Sequence, residues 1–334
     1  MKLFSFSIRD DEIPYIEEWK AAHPDVDVDF SQELLTVDTA KLAAGAENIV
    51  VYQQLDYTPE VLKALAAVGV KTLSLRNVGV DNIDFATIKE LGMKVSNTPV
   101  YSPNAIAEQA LAVMQRLLRQ SKVLDAKVAK GDMRWAPTIG REMRDQTIGV
   151  IGTGNIGRVS IKIAQGFGAK VIAYDKFRNP DIEAQGLYVD TLEELLAEAT
   201  AITIHTPSLP ELKHFINADS IALMPDDVVI VNEARGDLVD IEAVIAGLDS
   251  GKIFGFGTDV LEEEIGVFNV DHTKTGLPDV VANLNARDNV ILTPHTAFYT
   301  THAVRNMVVL AFDAALEFAE GRDPQTLIDI ERGF

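Results

Sequence analysis

Ile148-Gly149-Val150-Ile151-Gly152-Thr153-Gly154-Asn155-Ile156-Gly157-Arg158-Val159, followed by Val171-Ile172-Ala173-Tyr174-Asp175, reads as strand, glycine turn, helix, second strand and a terminal acid. Each part meets a requirement of dinucleotide binding. Gly152 permits a tight turn, Gly154 lets the backbone approach a pyrophosphate, and Gly157 lets helix and strand pack closely. Asn155, Ile156 and Gly157 open the helix, where free N–H groups and the dipole favour an anion. Asp175 lies eighteen residues beyond Gly157, where a carboxylate accepts hydrogen bonds from the adenosine ribose. It would repel a 2′-phosphate, which points to NAD rather than NADP.

The alternation of strand and helix continues on both sides of this stretch. Downstream, strands are predicted at 201–205, 228–232, 253–259 and 290–293. Upstream they are predicted at 2–8, 26–30, 48–52, 72–75 and 94–97. Thr58-Pro59 starts an intervening helix, and Gly69 and Gly92 stand where helices end. Residues 101–114 form a helix apolar on nearly every face, as expected of one buried between domains. The apolar helix at 303–319 is free to return to the first block and close it. The expected fold class is α/β, with two doubly wound parallel-sheet domains. A flavodoxin-like substrate domain takes 1–100 and 300–334, and a Rossmann NAD domain takes 101–299.

A chain of 334 residues with 47% apolar content has enough length and core for two domains. The absence of cysteine excludes disulfides, thiolate catalysis and Cys-type zinc sites. No run approaches the roughly 20 apolar residues of a membrane span. The first ten residues turn acidic too soon for a signal peptide and read as a strand, so a cytoplasmic protein is expected. A net charge of −20 argues against nucleic acid or an anionic membrane as partner. An anionic cofactor must be held by local N–H groups and arginines, which suffices because salt screens the global field within about 8 Å.

Chemistry on such a sheet belongs past the carboxyl ends of strands. Four ends qualify: His205-Thr206-Pro207, Glu233-Ala234-Arg235, Asp259 with Glu262-Glu263-Glu264, and His295. An Arg, an acid and a His beside a nicotinamide suit hydride transfer at a carbonyl. The His trades a proton, the acid orients it, and the Arg polarises the carbonyl and anchors a carboxylate. Spacing does not choose among the three glutamates, which also read as a solvated acidic run. Asp259 also suits a strand-end cap. His205 suits a role in shaping the cofactor cleft, and His302, inside the last helix, a structural one. In the first block, Arg76-Asn77-Val78-Gly79-Val80-Asp81-Asn82-Ile83-Asp84 leaves a strand and enters a helix. Its N–H groups at Val78 and Gly79 form a small anion nest suited to a carboxylate.

The chain resembles the D-isomer-specific 2-hydroxyacid dehydrogenases, and among them those of lactic acid bacteria that act on D-lactate. The likeness includes Val51-Tyr52-Gln53-Gln54-Leu55-Asp56, the 75–84 loop, Tyr101-Ser102-Pro103-Asn104, Arg134-Trp135-Ala136-Pro137, Ala234-Arg235-Gly236 and Thr293-Pro294-His295-Thr296-Ala297-Phe298-Tyr299. It implies Arg235 as the carbonyl-polarising residue, Glu264 as the acid paired with the His, and His295 as proton donor. It implies a carboxylate on the amides of Val78 and Gly79, and Tyr101 and Tyr299 lining the site. Tyr52 resembles the aromatic that crowds the substrate side chain, and Asp259 the residue that meets the nicotinamide amide. His205, Thr206, Pro207, Glu233 and Ala234 join the glycine turn as cofactor contacts. The implied reaction is reversible, NADH-dependent reduction of pyruvate to D-lactate by a homodimer. A bulkier 2-keto acid, of the 2-hydroxyisocaproate kind, is the enzymatic alternative, and a non-catalytic NAD-sensing regulator the other. Three positions depart from the resemblance: Asn155 in place of His, Leu261 in place of Tyr, and Glu233 beside Arg235. Backbone alternation favours an outward Glu233 but leaves its direction open; an inward acid would weaken the pull on a carboxylate.

Overall fold

A computed structural model describes residues 1–52 and 55–330, so Gln53 and Gln54 lie outside the described residues. The chain divides into two compact units, Met1–Ser102 with Tyr299–Phe334, and Pro103–Phe298.

The first unit carries strands β1 (Lys2–Ser5), β2 (Asp27–Phe30), β3 (Asn48–Val51), β4 (Thr72–Leu75) and β5 (Lys94–Ser96). They pair in parallel in the order β2-β1-β3-β4-β5. This is the flavodoxin-like order, whose winding reverses between β1 and β3. Side chains alternate between two cores, as a period of two requires. Phe4, Ile49 and Val51 face one, and Leu3 and Val50 face the other. The last helix, Thr301–Ala319, covers the second core with Val308, Ala311, Phe312 and Ala315, one stripe at helical spacing. Trp19 Nε1 donates to Asp313 Oδ1 at 2.8 Å and ties this helix to Ile13–Ala22. β1 stops short of its predicted end because Ser7 takes φ 57°. The N–H groups of Ser7 and Ile8 then pass to Glu33 and Ser31.

The second unit carries β6 (Thr147–Ile151), β7 (Lys170–Tyr174), β8 (Ala201–Ile204), β9 (Val228–Asn232), β10 (Ile253–Thr258) and β11 (Val290–Leu292). The parallel order is β11-β10-β9-β8-β6-β7. A single bridge from Ala173 to Tyr188 stands where a doubly wound sheet has its outer strand. Winding reverses between β6 and β8, which places the glycine turn and His205 at one switch point. The helix Pro103–Leu118 begins two residues later than its sequence suggests. It packs against the helix Asn155–Gly166 and strands β9 and β10. Leu111, Val113, Met114 and Leu117 are buried there, whereas Glu108, Gln115 and Arg116 are exposed. It is therefore a one-sided helix of this unit, and its short side chains made it read as apolar all round. Among the described residues, no helix is long and apolar enough to cross a membrane.

Candidate active site

The glycine turn is held by close backbone approach. Gly152 has φ +90°, and a Cβ there would lie 2.6 Å from the His205 carbonyl oxygen. A Cβ on Gly157 would lie 1.9 Å from the Gly152 carbonyl oxygen, so neither position accepts a side chain. A Cβ on Gly154 would meet nothing within 4 Å, which leaves open space in front of the turn. The first bond of the following helix runs from Arg158 N–H to Gly154 O at 3.1 Å, so the amides of residues 155–157 precede the ladder. Asn155 Oδ1 accepts from Arg158 Nη2 at 2.7 Å, drawing a guanidinium to this helix start. Asp175, past β7, is bound into the same turn. Its Oδ2 accepts from Thr153 N–H at 2.6 Å and Thr153 Oγ1 at 3.0 Å, and Oδ1 accepts from Phe177 N–H at 2.8 Å.

The acid–histidine pair forms at the other side of the sheet. His295 Nδ1 lies 2.6 Å from Glu264 Oε1, and Glu264 Oε2 accepts from Leu261 N–H at 3.0 Å. The three glutamates differ in their partners. Glu262 is taken by Lys213 at 2.6 Å and His214 at 2.7 Å, whose hydrogen bonds hold its carboxyl below the usual range. Glu263 is exposed. Gly236 explains how the Glu264 loop comes close to Arg235: a Cβ there would lie 1.9 Å from the Leu261 backbone. Leu261, the departure from Tyr, is 6% exposed and belongs to the core. Arg235 Nη1 donates to Ala234 O at 2.8 Å.

Asp259 fixes the segment that carries His295. Its Oδ1 accepts from Thr293 Oγ1 at 2.5 Å and Thr296 N–H at 2.8 Å, and its Oδ2 from Ala297 N–H at 2.8 Å. Burial raises its pKa against those hydrogen bonds, which lower it. His295 itself takes φ 52°, a strained backbone for a non-glycine residue that these bonds hold in place. His205 Nε2 lies 2.9 Å from Ser160 Oγ and 3.0 Å from Thr203 Oγ1. Burial pushes its pKa down to about 3, so the ring is neutral and packs the turn from below. His302 meets Asn306 at 3.1 Å on the exposed start of the last helix.

The direction of Glu233, open in the sequence, is answered by burial. Alternation along β9 favours an outward side chain, yet Glu233 is 6% exposed. The alternation ends at Asn232, whose Oδ1 accepts from Ala234 N–H at 3.1 Å and whose Nδ2 donates to Arg235 O at 2.8 Å. That Asx turn bends the chain just where Glu233 leaves the strand. Burial first, and then the charge of Asp259, raise its carboxyl well above the usual range. Burial thus disfavours the charged form of Glu233 and weakens its competition for a carboxylate. The group of residues fits a dinucleotide. Helix-start amides face open space at Gly154. The Thr206 hydroxyl and both Glu233 oxygens are buried with no partner among the described residues.

The first unit offers a separate cluster. Asn77 Nδ2 donates to Gly79 O at 2.7 Å, and Asn97 Nδ2 to Val78 O at 2.8 Å. These bonds hold the loop by its carbonyls, and the Val78 and Gly79 amides have no partner among the described residues. Tyr52 stands past β3 with the guanidinium carbons of Arg9 and Arg76 each 5.4 Å from its ring centre. Arg9 also lies 5.4 Å from the Tyr299 ring. Tyr101 O accepts from Asn306 Nδ2 at 2.8 Å. Arg76 is fully buried, pairs with Glu12, and donates to Phe6 O at 2.8 Å and Ser7 O at 3.0 Å. Sequence reasoning missed Arg9, Glu12 and Arg76 as a set. Arg9-Asp10-Asp11-Glu12 reads as a solvated charge run, and only the cation beyond β4 hints at a buried pair.

The family model for "D-isomer specific 2-hydroxyacid dehydrogenase, NAD binding domain" matches residues 111–297. A D-lactate dehydrogenase of Lactobacillus delbrueckii subsp. bulgaricus is 59% identical over 330 residues, 98% of this chain and 99% of that protein. The crystal structure of a D-lactate dehydrogenase from Treponema pallidum superposes with TM-score 0.89 at 37% identity, covering 98% of this chain and 100% of that one. A solved D-2-hydroxyisocaproate dehydrogenase gives the same TM-score of 0.89 at 37% identity, covering 98% and 99%.

Proposed function

The chain belongs to the D-isomer-specific 2-hydroxyacid dehydrogenase family, and from that premise we propose that it reduces pyruvate reversibly to D-lactate with NADH. NADH, when bound, supplies the hydride that C2 of the keto acid receives. His295 gives its Nε2 proton to the carbonyl oxygen in reduction and recovers it in oxidation. Glu264 holds Nδ1, which keeps Nε2 as the working nitrogen and stabilises the charged ring. Arg235 polarises the carbonyl and, with the Val78 and Gly79 amides, binds the carboxylate. Tyr52, Tyr101 and Tyr299 line the substrate. Gly152, Gly154, Asn155, Ile156, Gly157, Asp175, His205, Thr206, Pro207, Glu233, Ala234, Arg235 and Asp259 hold the cofactor.

The observation that carries this reading is the 2.6 Å His295–Glu264 pair. The D-lactate dehydrogenase name of the 59% identical relative supports pyruvate. So does Tyr52, an aromatic whose ring centre lies 5.4 Å from the guanidinium carbons of Arg9 and Arg76 and which is assigned to crowd the substrate side chain. Replacing His295 with Asn should lower turnover about 10²-fold or more, the usual scale of a lost general acid. A near-normal rate would move the proton donor elsewhere. The proposal includes a cytosolic homodimer. Met133, Trp135 and Ile139, each at least 76% exposed and close in sequence, offer apolar side chains suited to a second copy. Sedimentation and cell fractionation check the two statements.

A further inference from the structure

Past the end of β9, the Glu233 carboxyl is buried with both oxygens lacking a partner among the described residues. A buried carboxylate left in that state is costly, and a buried polar group without a partner calls for an explanation. The groups around it supply no compensating cation. Asp259, past β10, bears on it with like charge. Its own oxygens are satisfied by Thr293, Thr296 and Ala297, and it feels the charge of His295 beyond β11. His205, past β8, is neutral, and Arg235 on the same segment donates to Ala234 O. The charged form of Glu233 is therefore disfavoured in the free protein.

Its place matters. In an open parallel sheet the ligand lies outside the carboxyl ends of the strands, and Glu233 and Asp259 stand there side by side in the nucleotide-binding unit. The two redox forms of the cofactor differ by one positive charge on the nicotinamide ring. A positive ring near a buried acid favours its ionised form, and a neutral ring does not. We propose that Glu233 is a proton switch read by the cofactor's redox state, protonated in the free protein and with NADH, and ionised with NAD+. The O–H bond of the acid breaks, its electron pair stays on the carboxylate, and the proton leaves to solvent. No electron moves in this step. The inference rests on the nucleotide site proposed above.

The test is calorimetric titration of the whole protein and of Glu233→Gln with NAD+ and with NADH, in buffers of different ionisation enthalpy. The wild type should release up to one proton per NAD+ bound and none per NADH. Glu233→Gln should release fewer with NAD+, by the share owed to Glu233, since His295 is common to both proteins. The linkage sets the pH dependence. Between the pKa of Glu233 with NAD+ and its higher pKa in the free protein, the NAD+ Kd falls by up to about tenfold per pH unit. The variant loses that slope. Equal proton release by the two proteins overturns the switch and leaves the nucleotide site standing. Failure of wild type to bind either cofactor overturns the site and the switch together. An infrared difference between wild-type NAD+ and NADH complexes needs no variant. The protonated-carboxyl band should be lost with NAD+, and its retention refutes the proposal.

Discussion

Replacing Glu264 with Gln probes the acid–histidine pair without changing its size. The carboxylate faces two donors with two oxygens: His295 Nδ1 at 2.6 Å and Leu261 N–H at 3.0 Å. An amide has one acceptor oxygen, so one of these contacts becomes donor facing donor. Leaving a part-buried donor unmatched costs about 1–3 kcal/mol. Trading a charge-assisted bond to the imidazolium for a neutral one removes about 1 kcal/mol more. The sum, about 3 kcal/mol, bears on the state in which His295 holds its proton, and it corresponds to roughly a 10²-fold loss of kcat. Initial rates of NADH oxidation at saturating pyruvate measure it. A fluorescence titration should show NADH affinity close to wild type, because Glu264 is not assigned to the cofactor. Glu262→Gln is the control. Glu262 is paired with Lys213 and His214, and its loss should leave kcat near wild type. A Glu264→Gln enzyme with near-normal kcat, or a Glu262→Gln enzyme equally impaired, would refute the reasoning.

Two further outcomes follow from the nucleotide-binding unit. Asp175→Ser should narrow the preference for NADH over NADPH by roughly tenfold, about the 1.4 kcal/mol scale of one charge repulsion. Wild-type kcat/KM values that are equal for the two cofactors would remove the role given to Asp175. His205 has a folded pKa depressed to about 3 by burial. Below its unfolded value of about 6.5 the unfolded chain takes a proton that the folded one refuses. The stability is therefore complete above that pH and is lost as pH falls toward 3. Between pH 7 and pH 5, wild type should lose about 2 kcal/mol more than His205→Gln in urea unfolding. Equal losses would mean that the ring is not held neutral.

What was legible in the sequence was local. The glycine turn and the strand beyond it specify themselves, because Gly152 and Gly157 are forced by backbone atoms a few residues away or across one strand. Strands β4 and β9 match their predicted bounds, since each is a short buried stretch closed by polar residues. Long-range choices were not legible. Which of three adjacent glutamates meets His295 depends on where Lys213 and His214 lie. The direction of Glu233 depends on an Asx turn that cancels strand alternation. The buried Arg76–Glu12 pair joins residues 64 apart, and no periodicity relates them. The helix Pro103–Leu118 misled through its many alanines, which read as apolar even where they are exposed, as at Ala112.

The central claim is that this chain makes D-lactate from pyruvate at the expense of NADH. Purified protein supplied with both, and its product resolved by chiral chromatography, tests it most directly. The account predicts D-lactate formed in step with NADH consumed. L-lactate, or no turnover of pyruvate beside brisk turnover of 2-ketoisocaproate, would contradict it.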